Sequence, residues 1–174
     1  SRLRYDLPAL GAAKVAVRRG IKGNDHVTEV GLRFDGEMAG KIRGRFGYST
    51  KDVGGVAGSF DTLGGSVSWL HNSGVSLTGA HSVTSDDAPG NPDAKFFTGK
   101  LGYKTGQHAF DIHYAQTDDR VQDGDSAETV GVGYVFSASK QFQAYAGYNT
   151  HSLDRVGSDF EGVDTILVGS RLKF

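Results

Sequence analysis

Apolar and polar residues alternate along most of the chain. The clearest example is the segment 41–48, in which Ile42 and Phe46 occupy even-numbered positions and Arg43 and Arg45 occupy odd-numbered ones. Successive side chains of a β-strand point to opposite faces of the sheet. The period of two therefore predicts β-strands, and helical periodicity is nearly absent.

The alternation divides the chain into about eleven segments, most of them near the 9–11 residues that a tilted membrane-spanning strand needs. The predicted strands cover residues 1–6, 12–19, 26–34, 40–48, 62–71, 75–83, 95–104, 108–117, 127–136, 141–149 and 163–174.

The links between these segments alternate in length. The short links cover residues 7–11, 35–39, 72–74, 105–107 and 137–140. The links that alternate with them are longer and polar and cover 49–61, 84–94, 118–126 and 150–162; among these alternating links, only 20–25 is brief. Long loops at one end and tight turns at the other are typical of barrels in the bacterial outer membrane. The pattern predicts an all-β protein, an antiparallel up-and-down transmembrane β-barrel, with residues 1–174 as a single barrel domain.

Alternation alone does not say which face meets water, and the aromatic residues provide a second signal. If the last strand runs toward the periplasm, the rings collect near both ends of the strands, as expected for interfacial girdles. The predicted girdle comprises Tyr5, Phe34, Tyr48, Trp69, Tyr103, Tyr114, Phe136 and Tyr148. The alternative is aromatic packing between the two sheets of a soluble β-sandwich.

The polar face of the alternation carries many long cationic side chains. They are Arg2, Arg4, Lys14, Arg18, Arg33, Lys41, Arg43, Arg45, Lys100, Lys104, Arg171 and Lys173. A dry interior does not hold unpaired charges, because burying one costs several kcal/mol. This face must meet water, which is equally true of a pore lumen and of the outside of a soluble protein.

Composition narrows the possibilities further. The net charge of −1 gives no sign of a nucleic-acid partner, and the absence of Cys excludes disulfides and thiolate chemistry. No apolar run reaches the length of a membrane-spanning helix. The chain begins without Met or a signal peptide, so we expect a mature form or a fragment.

Motifs for catalysis or cofactor binding are not visible, so we expect neither an enzyme nor a cofactor or metal site. The six His residues are scattered, and His81 and Ser82 fall on opposite faces of one predicted strand. The acidic links leave one alternative open. Carboxylates at Asp86, Asp87, Asp93, Asp118, Asp119, Asp123 and Asp125 could bind Ca²⁺ or could form a solvated, negatively charged mouth.

Two ends of the chain resemble general Gram-negative porins. Residues 128–136, 142–149 and 164–174 are similar to the porin ending, whose terminal aromatic corresponds to Phe174. Arg4, Tyr5, Asp6, Leu7 and Pro8, followed by Gly11, resemble the porin strand after the inward-folded third loop. In a barrel of sixteen strands that strand is the sixth, so the resemblance implies that the chain covers about strands 6–16 and lacks the third loop.

The resemblance implies a trimeric channel for small hydrophilic solutes or ions in the outer membrane, in contact with lipid and lipopolysaccharide. It further implies that Phe174 is recognised by the barrel-assembly machinery. Family porins carry a basic cluster on the barrel wall. The corresponding pore-lining candidates here are Arg2, Arg4, Lys14, Arg18, Lys41, Arg43 and Arg45. The remaining alternatives are a non-channel barrel (an adhesin, an autotransporter translocator or an enzyme) and a soluble β-sandwich binding module.

Overall fold

The computed structural model describes residues 1–22, 25–52, 59–86, 88 and 90–173. Its regular elements are eleven β-strands. They are β1 (Arg2–Asp6), β2 (Ala13–Lys22), β3 (Asp25–Glu37), β4 (Gly40–Asp52), β5 (Ser59–His71), β6 (Val75–Asp86), β7 (Ala94–Thr105), β8 (His108–Asp118), β9 (Ser126–Ser137), β10 (Phe142–Asp154) and β11 (Val163–Leu172).

All eleven strands belong to one sheet, in which each strand pairs antiparallel with the next along the chain. The order is β1 to β11 without a crossover. This up-and-down sheet confirms the predicted fold class. In the described ranges, no helix has the length and hydropathy needed to cross a membrane.

Several strands extend further than the alternation predicts. Most of them do so away from the short turns, whereas β3 continues to Glu37 and shortens the predicted link 35–39. β4 continues to Asp52 and β5 begins at Ser59, with pairs such as Thr50 with Asp61 continuing the ladder. β10 likewise continues to Asp154. The residues there are mostly polar on both faces, so the pattern fades while backbone hydrogen bonding continues. The connections are correspondingly shorter than predicted.

Short turns lie at one end of the sheet, which we call the short-turn end; the opposite end is the long-loop end. Gly74 shows how neighbouring turns fit together at the short-turn end. Its φ of +91° lies in the left-handed region, and a Cβ there would overlap the carbonyl oxygen of Lys104. The Lys104 amide donates to the Gly74 carbonyl over 2.9 Å. This position therefore requires glycine, and the contact ties the β5–β6 turn to the end of β7.

Successive strands are staggered in one direction. The row of directly paired residues that starts at Tyr5, close to the first short turn, passes through Tyr48 and Lys95. It ends at Asp154, beside the β10–β11 connection at the long-loop end. A stagger of constant sense tilts the strands, as closure of a sheet into a barrel requires.

Within the described residues, no second layer covers this sheet. Among the described residues, none of the apolar side chains is buried, and Phe46, Val132 and Val168 are 56%, 49% and 75% exposed. A β-sandwich instead buries the inner faces of two sheets against each other. The soluble β-sandwich alternative is therefore wrong.

Candidate functional site

The strand register assigns every side chain to one of two faces. Residues paired across neighbouring strands lie on the same side of the sheet. We define the polar face by the row Arg4, Arg18, Glu29, Ser49, Thr62 and Thr84. The apolar face is defined by the adjacent row, which includes Tyr5, Val17, Val30, Tyr48, Leu63 and Val83. Each face is continuous over the whole sheet.

All the basic residues proposed from the sequence as pore-lining lie on the polar face of β1, β2 and β4, and Arg33 of β3 lies among them. We call this set the basic wall: Arg2, Arg4, Lys14, Arg18, Arg33, Lys41, Arg43 and Arg45. From β5 onward, the corresponding positions are mostly hydroxyl-bearing or small, such as Ser66, Ser68 and Thr78. On the polar face, the positive charge is therefore concentrated in β1 to β4.

Carboxylates that the sequence analysis did not single out share the polar face with the basic wall. Asp6 accepts from Arg4 over 2.6 Å, and Asp35 lies 2.5 Å from Arg33 Nε and 3.5 Å from Arg43 Nε. Each residue of these pairs is at least one third exposed, so each ion pair contributes little to stability. Their main effect is to hold the guanidinium groups in place.

Lys14, Arg33 and Arg45 stand side by side in one row across β2, β3 and β4. Of these, Arg33 pairs with Asp35, and within the described part of the chain neither Lys14 nor Arg45 forms an ion pair within 4 Å. Both side chains are exposed. The basic wall carries more cations than its carboxylates neutralise, so it presents an excess of positive charge to whatever fills the space over this face.

A second polar group, also missed from the sequence, crosses β7, β8 and β10. Lys100 Nζ donates to Asp111 Oδ1 over 3.0 Å, and His113 Nδ1 lies 3.1 Å from the same oxygen. His113 Nε2 lies 3.0 Å from Asn149 Oδ1. The intervening strand, β9, contributes Gly131, and a Cβ at this position would overlap the Asn149 side chain. Glycine on β9 leaves the space in which His113 and Asn149 meet.

The predicted girdle residues all lie on the apolar face. Two of them have polar atoms with partners: Trp69 Nε1 donates to the Met38 carbonyl over 2.9 Å, and the Tyr114 hydroxyl donates to Glu128 over 2.8 Å. Rings with an apolar body and a satisfied polar tip suit a membrane interface. Their role as a girdle remains a prediction, and Phe174 lies outside the described residues.

The acidic residues of the β8–β9 connection make contacts within the protein. Asp119 accepts from the Gly124 amide over 2.9 Å and from Lys95 over 3.2 Å, and these bonds hold the pKa of its carboxyl below the usual range. Asp125, only 5% exposed, accepts from Arg155 over 3.1 Å. In the part of the chain that the structure describes, no three metal-ligating side chains come together. Asp87 lies outside that part.

Two phenylalanines break the alternation and lie on the polar face. Phe60 pairs with Asp86, and Phe96 pairs with Ser82 and Thr117. Both line one recess of about 540 Å³ near the long-loop end, together with Arg120. The sequence signal was present, since Phe96 and Phe97 are adjacent and only one of them can face the apolar side.

Solved structures of outer-membrane porins resemble this fold. The sheet matches the anion-selective porin from Comamonas acidovorans with a TM-score of 0.78 and 16% identity, over 99% of this chain and 59% of that porin. Outer-membrane expressed OmpT of Vibrio cholerae matches with a TM-score of 0.66 and 12% identity, over 99% of this chain and 64% of OmpT. The KdgM porin, solved in complex with disordered oligogalacturonate, matches with a TM-score of 0.51 and 11% identity, over 99% of this chain and 91% of KdgM.

The chain thus spans less than two thirds of the length of the Comamonas porin. No curated protein sequence matches it. A family model described as Gram-negative porin matches residues 1–155, which include the basic wall and most of the sheet. This match, together with the two-faced antiparallel sheet, places the protein in the bacterial outer membrane. The chain belongs to the Gram-negative porin family.

Proposed function

We propose that this protein is a passive diffusion channel for small hydrophilic solutes or ions, with a preference for anions. Its polar face lines the water-filled pore, and its apolar face contacts lipid. Solutes cross by diffusion, and no residue acts as a catalyst. The basic wall raises the local concentration of anions in the pore because an uncompensated positive surface attracts them.

One observation carries this proposal: the basic wall and the exposed apolar residues occupy opposite faces of the same strands. A soluble protein does not expose a continuous apolar surface of this extent. A bilayer covers such a surface, and it leaves the charged face to water. The match to a porin described as anion-selective supports the same interpretation.

We further propose that residues 1–174 form a single domain within a larger barrel. β1 and β11 lie at the two edges of the sheet, and a strand edge in a membrane needs a hydrogen-bonding partner. The sheet superposes better on the larger Comamonas porin than on KdgM, although it covers most of KdgM. This difference supports a barrel with more strands than this chain supplies.

We propose, as the resemblance of the sequence to general Gram-negative porins implies, that the protein is a homotrimer in contact with lipopolysaccharide. We also propose that the barrel-assembly machinery recognises Phe174. Replacing Phe174 with Ala should reduce the amount of heat-modifiable protein in the outer membrane severalfold without changing its synthesis. Cross-linking of intact membranes tests the trimer, and a monomer band alone would contradict it.

The channel itself is tested by conductance. Reconstituted in a planar bilayer, the full-length protein should insert in discrete conductance steps, with a reversal potential in a salt gradient that reports a preference for anions. Neutralising two members of the basic wall, Arg43→Gln with Arg45→Gln, should lower the ratio of anion to cation permeability.

The control is Arg19→Gln with Lys140→Gln. Arg19 lies on the apolar face next to Arg18, and Lys140 lies at the short-turn end between β9 and β10. This pair removes the same charge and should leave the ratio unchanged. An absence of conductance steps would rule out the channel, and equal ratios in both double variants would rule out the role of the basic wall.

A further inference from the structure

We propose that the recess lined by Phe60, Phe96 and Arg120, here called the aromatic recess, binds a small sugar acid, a ring that carries hydroxyls and one carboxylate. The inference rests on the proposed channel function, since it places a solute site on the polar face near the long-loop end. At about 540 Å³, the recess lies in the range of pockets that hold small ligands.

The two phenylalanines are the first reason. A pore wall in contact with water has no need for large apolar rings, yet Phe60 and Phe96 remain 39% and 36% exposed there. Both project from the polar face and line the same recess. A sugar ring has an apolar C–H surface that covers such rings and removes them from water.

The hydroxyl groups between the rings are the second reason. Ser82, Thr84 and Thr117 line the recess, and the Thr84 hydroxyl is 3.0 Å from that of Thr62. Hydroxyls both donate and accept, so they suit a ligand that itself carries hydroxyls. A purely aromatic ligand would leave them without partners on binding, which costs free energy.

The charge of Arg120 is the third reason. Asp86, the carboxylate in the lining, already accepts from the Ala88 amide over 3.0 Å and from Asn91 over 2.6 Å. Among the described residues, Arg120 has neither an ion pair nor a hydrogen-bond partner, and it is exposed. A guanidinium binds a carboxylate through two parallel hydrogen bonds, which selects an anionic sugar over a neutral one.

The loop that carries Arg120 is held in place on both sides. Asp119 has a φ of +56°, unusual for a residue with a side chain, and its carboxylate accepts from the Gly124 amide. Gln122 Nε2 donates to the Val156 carbonyl over 2.9 Å. Arg120 therefore belongs to an ordered turn, which reduces the entropy lost when a ligand binds.

The test is a binding titration with the full-length protein in deuterated detergent, followed by saturation-transfer NMR of glucuronate. Glucuronate should bind in the millimolar range, and glucose and benzoate should each bind at least about tenfold more weakly, as expected from the loss of the charged bond or of the hydroxyl contacts. Glucose binding as tightly as glucuronate would rule out the role of Arg120. Benzoate binding as tightly as glucuronate would rule out the sugar class, and no transfer to glucuronate would rule out the site.

Phe96→Ala and Arg120→Gln should each weaken glucuronate binding about tenfold. Phe97→Ala is the matched control for Phe96, since Phe97 is adjacent on β7 but lies on the apolar face. If Phe96→Ala fails to fold, as judged by heat-dependent gel mobility, Phe60→Ala provides the same test. An equal effect of Phe97→Ala and Phe96→Ala would overturn the proposal.

Conductance separates this proposal from the channel function. Glucuronate binding to a protein without conductance steps would leave the site intact and reject the channel. Conductance without binding would reject the site and leave the channel intact.

Discussion

At the scale of single residues, neighbours along a strand lie on opposite faces of the sheet. Arg18 belongs to the basic wall while Arg19 faces the apolar side, and Phe96 lines the aromatic recess while Phe97 contacts Tyr114 on the apolar side. The alternation of side chains in a strand makes such pairs inevitable. For experiments they are useful, because each pair supplies a variant and its control at nearly the same depth.

The glycines of β9 illustrate a residue effect that only neighbouring strands reveal. Gly131→Ala should push aside the Asn149 side chain, which a Cβ would overlap, and His113, whose Nε2 would lie 2.5 Å from it. Loss of the His113–Asn149 hydrogen bond should lower the free energy of unfolding by about 1 kcal/mol. Urea titration in detergent measures this change.

Gly147→Ala is the control for that measurement. Gly147 lies on the same face of the adjacent strand, and a Cβ there would approach only the Val132 carbonyl, at an ordinary 3.5 Å. It should change the unfolding free energy by less than about 0.5 kcal/mol, as is usual for substitutions that disturb no buried or bonded group. Equal effects of the two substitutions would contradict the role assigned to the space over Gly131.

At the scale of elements, the β8–β9 and β10–β11 connections hold each other in place. Asp125 is nearly buried and accepts from Arg155, whose guanidinium lies 5.7 Å from the centre of the Phe160 ring. Gln122 adds a second link through the Val156 carbonyl. Two polar connections that would separately be mobile are thereby joined into one unit at the long-loop end.

Removing the arginine of this unit should release both connections. Arg155→Gln leaves the buried Asp125 carboxylate without its charged partner, which is costly. Limited trypsin digestion should then cleave after the exposed Arg120 about tenfold faster than in the unaltered protein, since local opening exposes the chain. Lys140→Gln also removes a trypsin site, but at the short-turn end, and should leave the rate after Arg120 unchanged. Unchanged cleavage in Arg155→Gln would show that the pair does not hold the connections together.

The same connection should respond to pH through Asp119. The Gly124 amide and then Lys95 lower the pKa of this carboxyl, so the charged form stabilises the folded loop. That stabilisation is complete above the usual carboxyl pKa of about 3.9 and is lost as the pH falls through the lowered folded value. Hydrogen exchange of the Gly124 amide, corrected for its intrinsic rate, should therefore be constant above about pH 4 and accelerate below it. Asp119→Asn should show fast exchange at every pH, and slow exchange in that variant would contradict this assignment.

At the scale of the whole molecule, charge is distributed unevenly around the sheet. The basic wall occupies β1 to β4. The polar face of the later strands carries fewer charged side chains, which include Asp86, Lys100, Lys104, Asp111 and Arg171. Exposed charges act through water and are screened by salt. The anion preference that we propose should therefore arise from one side of the pore and depend on ionic strength.

The preference of the pore for anions should be strongest in dilute salt. Lowering the potassium chloride concentration from about 1 M to about 0.01 M lengthens the Debye screening length from about 3 Å to about 30 Å. The ratio of anion to cation permeability, taken from reversal potentials, should rise severalfold over that range. In the Arg43→Gln and Arg45→Gln double variant the rise should be clearly smaller. A ratio independent of salt would point to pore width rather than charge as the source of selectivity.

Much of this architecture could be read from the chain because its signal is local. The alternation at Ile42, Arg43 and Phe46 predicted strands, their number and the composition of both faces without any knowledge of pairing. The basic wall followed from the same parity rule, since every second residue of a strand shares a face. The predicted strand ends were less accurate, because beyond Tyr48 and Leu63 mostly polar residues occupy both faces while the ladder continues.

The contacts between distant residues were decided only by the tertiary structure. Asp35 lies between Arg33 and Arg43, and His113 lies between Asp111 and Asn149, because the register of each strand pair sets which side chains meet. The shared recess of Phe60 and Phe96 and the constant stagger of the strands depend on the same registers. Parity along one strand is a property of neighbouring residues. Register depends on turns and hydrogen bonds that join separate strands, and the local pattern does not contain it.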